Sequence, residues 1–251
     1  MVVGLFVLTG IALAGAVAFL IPAITLSPLF AIGAGICILG FGFCLYLSIL
    51  FEKMRVAFDY NSDLHLMKTV AEGTVKFVQL REGQKGLDVG CGSGALTIAL
   101  AKLYPDAEVI GIDRWGKEYA SFNKPLCENN AKAEGVTNVS FMQGNALSLP
   151  FEDESFDAIV SNYVYHNIPS KDRQSILLET LRTLKKGGSF AIHDIFSKGK
   201  YGDMDAFVRK LKEMGYQEVE LLDTTDGVFF KSKKEAKRLA LQDSRLLKGI
   251  K

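Results

Sequence analysis

No Asp, Glu, Lys or Arg occurs between Met1 and Phe51, so all 29 basic and 28 acidic residues of this 251-residue chain lie in its last 200. A charge-free segment of that length cannot form the surface of a water-soluble domain. Residues 2–21 are twenty apolar or small residues, and residues 29–51 are a second uncharged run of 23. Each is long enough to cross a hydrocarbon core of ~30 Å as a helix. Pro22 and Pro28 bound a short turn between them. The expectation is an antiparallel hairpin of two transmembrane helices over residues 1–51, with Ala14, Ala18, Ala31 and Gly35 allowing close approach. Lys53 and Arg55 are the basic residues beside the spans, which assigns that end and the domain following it to the cytoplasm. A cleaved signal peptide would need basic residues before its apolar core, and none is present. The chain is therefore expected to be an integral membrane protein, with Cys37 and Cys44 as packing residues inside the second span.

The formal net charge is only +1, which excludes a strongly basic nucleic-acid binder. Four cysteines, none in a C-x-x-C pair, are too few for a disulfide scaffold and imply no metal site. After a connecting helix within 52–80, strand-like and helix-like runs alternate. The strands expected are 86–90, 108–113, 139–144, 156–162, 189–196, 218–223 and 228–231, with helical patterns near 95–104, 117–134, 171–186 and 203–214. Strand interiors are continuous apolar runs, as when both faces of a sheet are covered. Alternation of this kind describes an open α/β fold, a doubly wound Rossmann-like seven-stranded sheet. The short turn at 224–227 requires one of the last two strands to run antiparallel. The domain is expected over 81–231. Residues 232–251 are expected as a basic C-terminal helix, because 231–251 carry eight Lys or Arg against two acids. Such a helix beside a membrane anchor invites anionic lipid headgroups.

In a sheet of this kind ligands bind beyond the carboxyl ends of the strands. The first strand ends in Leu87-Asp88-Val89-Gly90-Cys91-Gly92-Ser93-Gly94, and Ala95-Leu96-Thr97 opens a helix. Alternate glycines let the backbone approach a bulky ligand, and the helix start offers free N–H groups. The spacing is G-x-G-x-G rather than the G-x-G-x-x-G of dinucleotide dehydrogenases. Asp88 suits a ligand with a cationic amino group better than a pyrophosphate, which argues against a nicotinamide oxidoreductase.

The stretch LDVGCGSGALT resembles the first motif of class I S-adenosylmethionine-dependent methyltransferases, and the similarity continues to about residue 231. The resemblance implies S-adenosylmethionine as cofactor and a seven-stranded sheet with a reversed last strand. It also implies that Asp88 approaches the methionine end of the cofactor, while Gly90, Cys91, Gly92 and Gly94 line it. Asp113 ends the second strand, followed by Arg114 and Trp115, and an acid there can accept hydrogen bonds from both ribose hydroxyls. Gly144-Asn145-Ala146 followed by LSLPF is similar to the family's G-D-A-x-x-L-P-F, with Asn145 in place of the acid that meets the adenine amino group. Its amide oxygen can still accept that bond.

Ser161-Asn162-Tyr163-Val164-Tyr165-His166 resembles the S-x-x-x-x-H segment of small-molecule methyltransferases. Ser161 and Asn162 would then lie beside the transferable methyl, with Tyr163 and His166 in the acceptor pocket. His166 can serve as a general base or only line the pocket. Of His193 and Asp194, alternation lets one address the pocket, and Asp194 is nearer the strand end. Cys91 and Cys127 are not read as a paired-thiol site. Asn138-Val139-Ser140 matches a glycosylation sequon. The function expected is methyl transfer to a small or lipophilic acceptor at a membrane. The alternative is a catalytically silent, membrane-tethered cofactor-binding scaffold or regulator.

Overall fold

The computed structural model describes Ala14 and residues 28–59, 65–117 and 121–251, which divide into two units at His65/Leu66. In the first unit, helix α1 runs Pro28–Phe58. Its segment Ile32–Val56, mean hydropathy 2.3, is the one helix among the described residues long and apolar enough to cross a membrane. At 1.5 Å per residue, 25 residues reach about 37 Å. The other expected span, 2–21, lies outside the described residues apart from Ala14. No helix breaker separates residues 29–51 from residues 52–58, so α1 continues through EKMRVAF to Phe58, where Arg55 pairs with Glu52 at 2.7 Å. The connecting helix expected over 52–80 is thus corrected. Its first residues belong to α1, and Leu66–Thr74 forms a separate helix, α2, ending in a 3₁₀ turn at Val75–Phe77.

In the second unit the expected sheet is present, with seven strands in the order β3-β2-β1-β4-β5-β7-β6. The strands are β1 (Lys85–Val89), β2 (Glu108–Asp113), β3 (Val139–Gln143), β4 (Phe156–Asn162), β5 (Leu184–Ile195), β6 (Gln217–Asp223) and β7 (Ser244–Ile250). The chain winds from β1 outward to β3, then returns to lay β4 on the other side of β1, all in parallel. Helix α3 (Ala95–Leu103) follows β1, and α4 (Lys124–Ala133) follows β2. Helix α5 (Arg173–Arg182) follows β4, while a short α6 (Lys198–Tyr201) and α7 (Met204–Glu213) follow β5. Both faces are covered. Leu87, Ile159 and Phe190 pack against Leu177, Leu181 and Phe207 of α5 and α7, whereas Val109, Ala158 and Val160 pack against α2 and α3. This double burial explains the unbroken apolar runs that the strands show.

The last strand is not where the sequence pattern put it. Residues 228–231 form a turn in which Phe229 and Phe230 are buried and Gly227 N–H donates to Phe230 O at 2.8 Å. The strand that runs antiparallel is Ser244–Ile250, inserted between β5 and β6. Residues 232–251 are accordingly not one basic helix but α8 (Lys233–Arg238) followed by β7, and the sheet extends to Ile250. Arg245 and Lys248 are among the basic residues that made this segment read as a helix. In the strand they take half-buried positions while Leu246 and Leu247 are fully buried, and Lys248 pairs with Glu220 of β6 at 3.0 Å. The sequon residue Asn138 has its amide turned inward, donating to the carbonyls of Tyr104 (3.1 Å) and Ala107 (2.9 Å).

Candidate active site

The strand order reverses between β1 and β4, and the loops beyond their carboxyl ends form the crevice where this architecture binds ligands. On one side is the loop after β1. Gly90 has φ +77°, and a Cβ there would sit 2.3 Å from Val164 Cγ2, so only glycine lets the loop lie against the segment after β4. Gly94, φ +86°, caps α3, and a Cβ there would meet the Phe141 ring at 3.1 Å. Gly92 lies between them and donates its N–H to Asp113 Oδ2 at 2.9 Å. Asp113 Oδ1 accepts from Trp115 N–H at 2.7 Å, and Trp115 Nε1–H returns to Gly92 O at 3.0 Å. The ends of β1 and β2 are therefore one hydrogen-bonded unit around the Asp113 carboxylate. Each carboxylate has about four lone-pair positions, so two remain for further donors.

Asp88 lies under this loop, 1% exposed, with Thr97 Oγ1 donating to its Oδ2 at 2.6 Å. Its Oδ1 is buried with no hydrogen-bond partner. Burial pushes the carboxyl up to about 7, and the charge of Asp113 adds to the rise while the Thr97 bond opposes it. An orphaned carboxylate oxygen beneath a glycine loop suits a cationic donor, and this fits the amino group of S-adenosylmethionine. The sign of the shift makes a measurable difference. A carboxyl raised in the folded state stabilises the fold at low pH, and that contribution is lost as pH rises through about 7. Without cofactor, thermal stability should fall as pH rises from about 4 to about 7 and level off above that, and adenosylmethionine affinity should rise over the same window. Asp88→Asn should flatten both profiles, and unchanged profiles in calorimetry would remove Asp88 as the titrating group.

The remaining expected cofactor residues divide by environment. Arg114 is exposed, and its carbonyl accepts from Gln143 Nε2 at 3.0 Å. Asn145 is exposed, with Oδ1 accepting from Leu147 N–H at 3.0 Å, and Ala146 packs against the core. Cys91 points inward, with Ile98, Cys127 and Phe141, so only its backbone faces the loop. Its thiol meets that of Cys127, which α4 brings against the β1 loop. The two cysteines outside α1 are thus buried side by side as free thiols, a contact that their spacing of 36 residues does not announce. Ser161 is fully buried, its hydroxyl donating to Val89 O at 2.7 Å and tying β4 to β1. Asn162 Oδ1 bonds His193 Nδ1 at 2.8 Å.

On the other side of the crevice, Asp194 and His166 meet. Asp194 ends β5, is fully buried, and its Oδ1 lies 2.5 Å from His166 Nδ1. It also accepts from Ile195 N–H (2.6 Å) and Tyr201 O–H (3.0 Å). Burial pushes this carboxyl up, but the bond and charge of His166 and the other two donors outweigh it and hold it below the usual range. His193 faces the opposite side, as strand alternation requires. Burial pushes its imidazole down to about 3, leaving it neutral between Asn162 and the Thr224 hydroxyl at 2.9 Å. Tyr163 adopts φ +55° at the end of β4, with its hydroxyl 2.8 Å from Ser244 Oγ and its ring 4.7 Å from that of His193. Thr97 and Tyr201 were not legible as site residues. Each acts on a carboxylate whose position only the fold sets.

Comparison with known proteins agrees with this geometry. A sequence profile described as a methyltransferase domain matches residues 80–240. The chain is 35% identical over 142 residues to the demethylmenaquinone methyltransferase of Anoxybacillus flavithermus, covering 55% of this chain and 57% of that protein. It thus spans a little over half the length of that curated relative. To the demethylmenaquinone methyltransferase of Bacillus subtilis it is 30% identical over 166 residues, 64% of this chain and 68% of that protein. Among solved structures, a SAM dependent methyltransferase from Aquifex aeolicus superposes with a TM-score of 0.52 at 19% identity, over 79% of this chain and 97% of that one, and so shares the fold. With the glycine loop, the paired acids and the reversed seventh strand, these matches establish that the chain belongs to the class I S-adenosylmethionine-dependent methyltransferase family.

Proposed function

We propose that this protein methylates a small lipophilic acceptor at a membrane, and that the acceptor carries a proton which His166 removes. The observation that carries the reading is the His166–Asp194 pair. A carboxylate 2.5 Å from Nδ1 fixes the ring and its tautomer, leaving Nε2 as the nitrogen that can take a proton. A silent scaffold has no use for a base oriented in this way. S-adenosylmethionine supplies an activated methyl on a sulfonium centre, whose leaving thioether is neutral. The protein's own work is then to hold the acceptor in line, exclude water and accept one proton, for which orientation alone can supply several kcal/mol. Asp88, the 90–94 loop and Asp113 would hold the cofactor, and the imidazolium formed at His166 is stabilised by the buried Asp194 charge.

A quinone-like acceptor is supported by the relatives, whose names specify demethylmenaquinone. Membrane association is supported by the apolar segment Ile32–Val56, with Lys53 and Arg55 marking the cytoplasmic side. The test of the acceptor supplies methyl-deuterated adenosylmethionine and extracted membrane lipids to the full chain. Deuterated methyl should appear in the quinone fraction, and cofactor turnover with water-soluble acceptors only would refute the lipophilic assignment. The test of the anchor is separate. The full chain should resist alkaline extraction from membranes, and a chain lacking residues 1–65 should be soluble and still bind adenosylhomocysteine. Release of the full chain by alkali would refute a spanning α1.

A further inference from the structure

Strand direction sorts every connection of the second unit to one of two edges of the sheet. The loops after β3, β4, β5 and β6 lie at the carboxyl edge, where His166 and Asp194 are. The connections that enter β2, β3 and β4 lie at the opposite edge. The exposed charges are spread unevenly over the two edges. The carboxyl edge carries Lys198, Lys200, Lys231, Lys234, Lys237 and Arg238 in the connections after β5 and β6. The opposite edge is mixed: the exposed acids Asp106, Glu134, Glu152, Asp153 and Glu154 lie among the exposed cations Arg81, Lys102, Lys132, Lys186 and Lys212. Two large apolar side chains are also exposed at the carboxyl edge, Leu147 after β3 (50%) and Val228 after β6 (38%). The same connections also carry the exposed acids Asp203, Asp205, Asp223 and Asp226, fewer than the cations there. Asp203 caps α7, and Glu235 accepts from Lys231 N–H.

From this distribution the geometry points to an interaction surface: the carboxyl edge, around the mouth of the His166 site, docks on the anionic headgroups of a bilayer. The inference rests on the reading of the protein as membrane-associated and adds which face meets the lipid. The cations clustered after β5 and β6, against the mixed charge of the other edge, give the domain a preferred orientation in the negative potential of a cytoplasmic leaflet. In that orientation a lipophilic acceptor leaves the bilayer directly into the crevice, while the mixed edge is turned to water.

The test reconstitutes the full chain into phosphatidylcholine vesicles with and without about one third phosphatidylglycerol, and follows amide exchange of residues 231–242. Phosphatidylglycerol should slow exchange there roughly tenfold, and high salt should reverse the effect. The triple variant Lys234→Glu, Lys237→Glu, Arg238→Glu should lose the protection while keeping its thermal stability and its adenosylhomocysteine affinity. Equal exchange in the two lipids overturns the inference, as does protection that survives the triple variant. If alkali releases the full chain, the spanning helix fails instead. Co-sedimentation of the chain with the same vesicles at low salt then decides the rim on its own: salt-reversible binding to the anionic vesicles supports it, and absence of binding refutes it.

Discussion

Replacing His166 by alanine is expected to lower kcat by ~10²–10⁴, the usual range for loss of a general base, with adenosylmethionine affinity nearly unchanged. The histidine lies in the segment after β4, across the crevice from the glycine loop, so its loss does not touch the residues that would hold the cofactor. Added imidazole should restore part of the lost rate to His166→Ala, because the side chain is 12% exposed and its removal opens a cavity beside Asp194. A residue that merely packs would not be rescued in this way. Asp194→Asn should reduce kcat in the same direction, since an amide supports either tautomer of the ring. Tyr201→Phe should have a smaller effect, removing one of the donors that hold the carboxylate ionised. Normal turnover of His166→Ala on the proton-bearing acceptor would reduce the histidine to a wall of the pocket.

Asp113→Ala is expected to weaken adenosylmethionine binding by at least ~10-fold and to lower stability as well. The reason is more than the ribose. Asp113 receives the N–H of Gly92 and of Trp115, so it holds the β1 loop in the shape that the cofactor requires. Hydrogen bonds to a charged group contribute ~1.5–3 kcal/mol each, so losing both costs about 3 kcal/mol even at the lower end. For a unit of this size that corresponds to a Tm lower by about 6–12 °C. Asp113→Asn keeps one acceptor and should fall between the two. Differential scanning calorimetry with a binding titration separates the effects. An unchanged Tm in Asp113→Ala would mean that the loop holds its shape without the carboxylate.

The fold and the cofactor loop were legible because their signals are local. LDVGCGSGALT contains a strand, the glycines of positive φ and a helix start within eleven residues, and β1, β2, β4 and β5 are apolar enough to be seen without neighbours. The errors fall where a residue's meaning depends on a distant partner. Phe229 and Phe230 read as a strand, yet they fold into a turn and are buried. Arg245 and Lys248 read as part of a basic helix, because nothing in their own segment says that β5 and β6 will flank it. At the site, His166 was read as a base or a pocket wall and Asp194 as a pocket residue, without the link between them. Their 2.5 Å contact arises because the 3₁₀ turn after β4 brings the ring against the end of β5. Cys91 and Cys127 show the same blindness.

The insertion of β7 between β5 and β6 sets a timetable for folding. β6 leaves the ribosome before β7, yet it has no strand partner in the sheet except β7. The right-hand side of the sheet therefore cannot zip up in chain order, and β6 must wait as an unpaired strand until residues 244–250 arrive. Long-range pairings of this kind slow folding and leave an exposed edge in the interval. One row that β7 completes joins Asp194 of β5 through Arg245 to Asp223, the row that contains the carboxylate bonded to His166. A nascent chain can thus assemble its glycine loop early, while Asp194 on β5 still lacks the strand neighbour that Arg245 supplies.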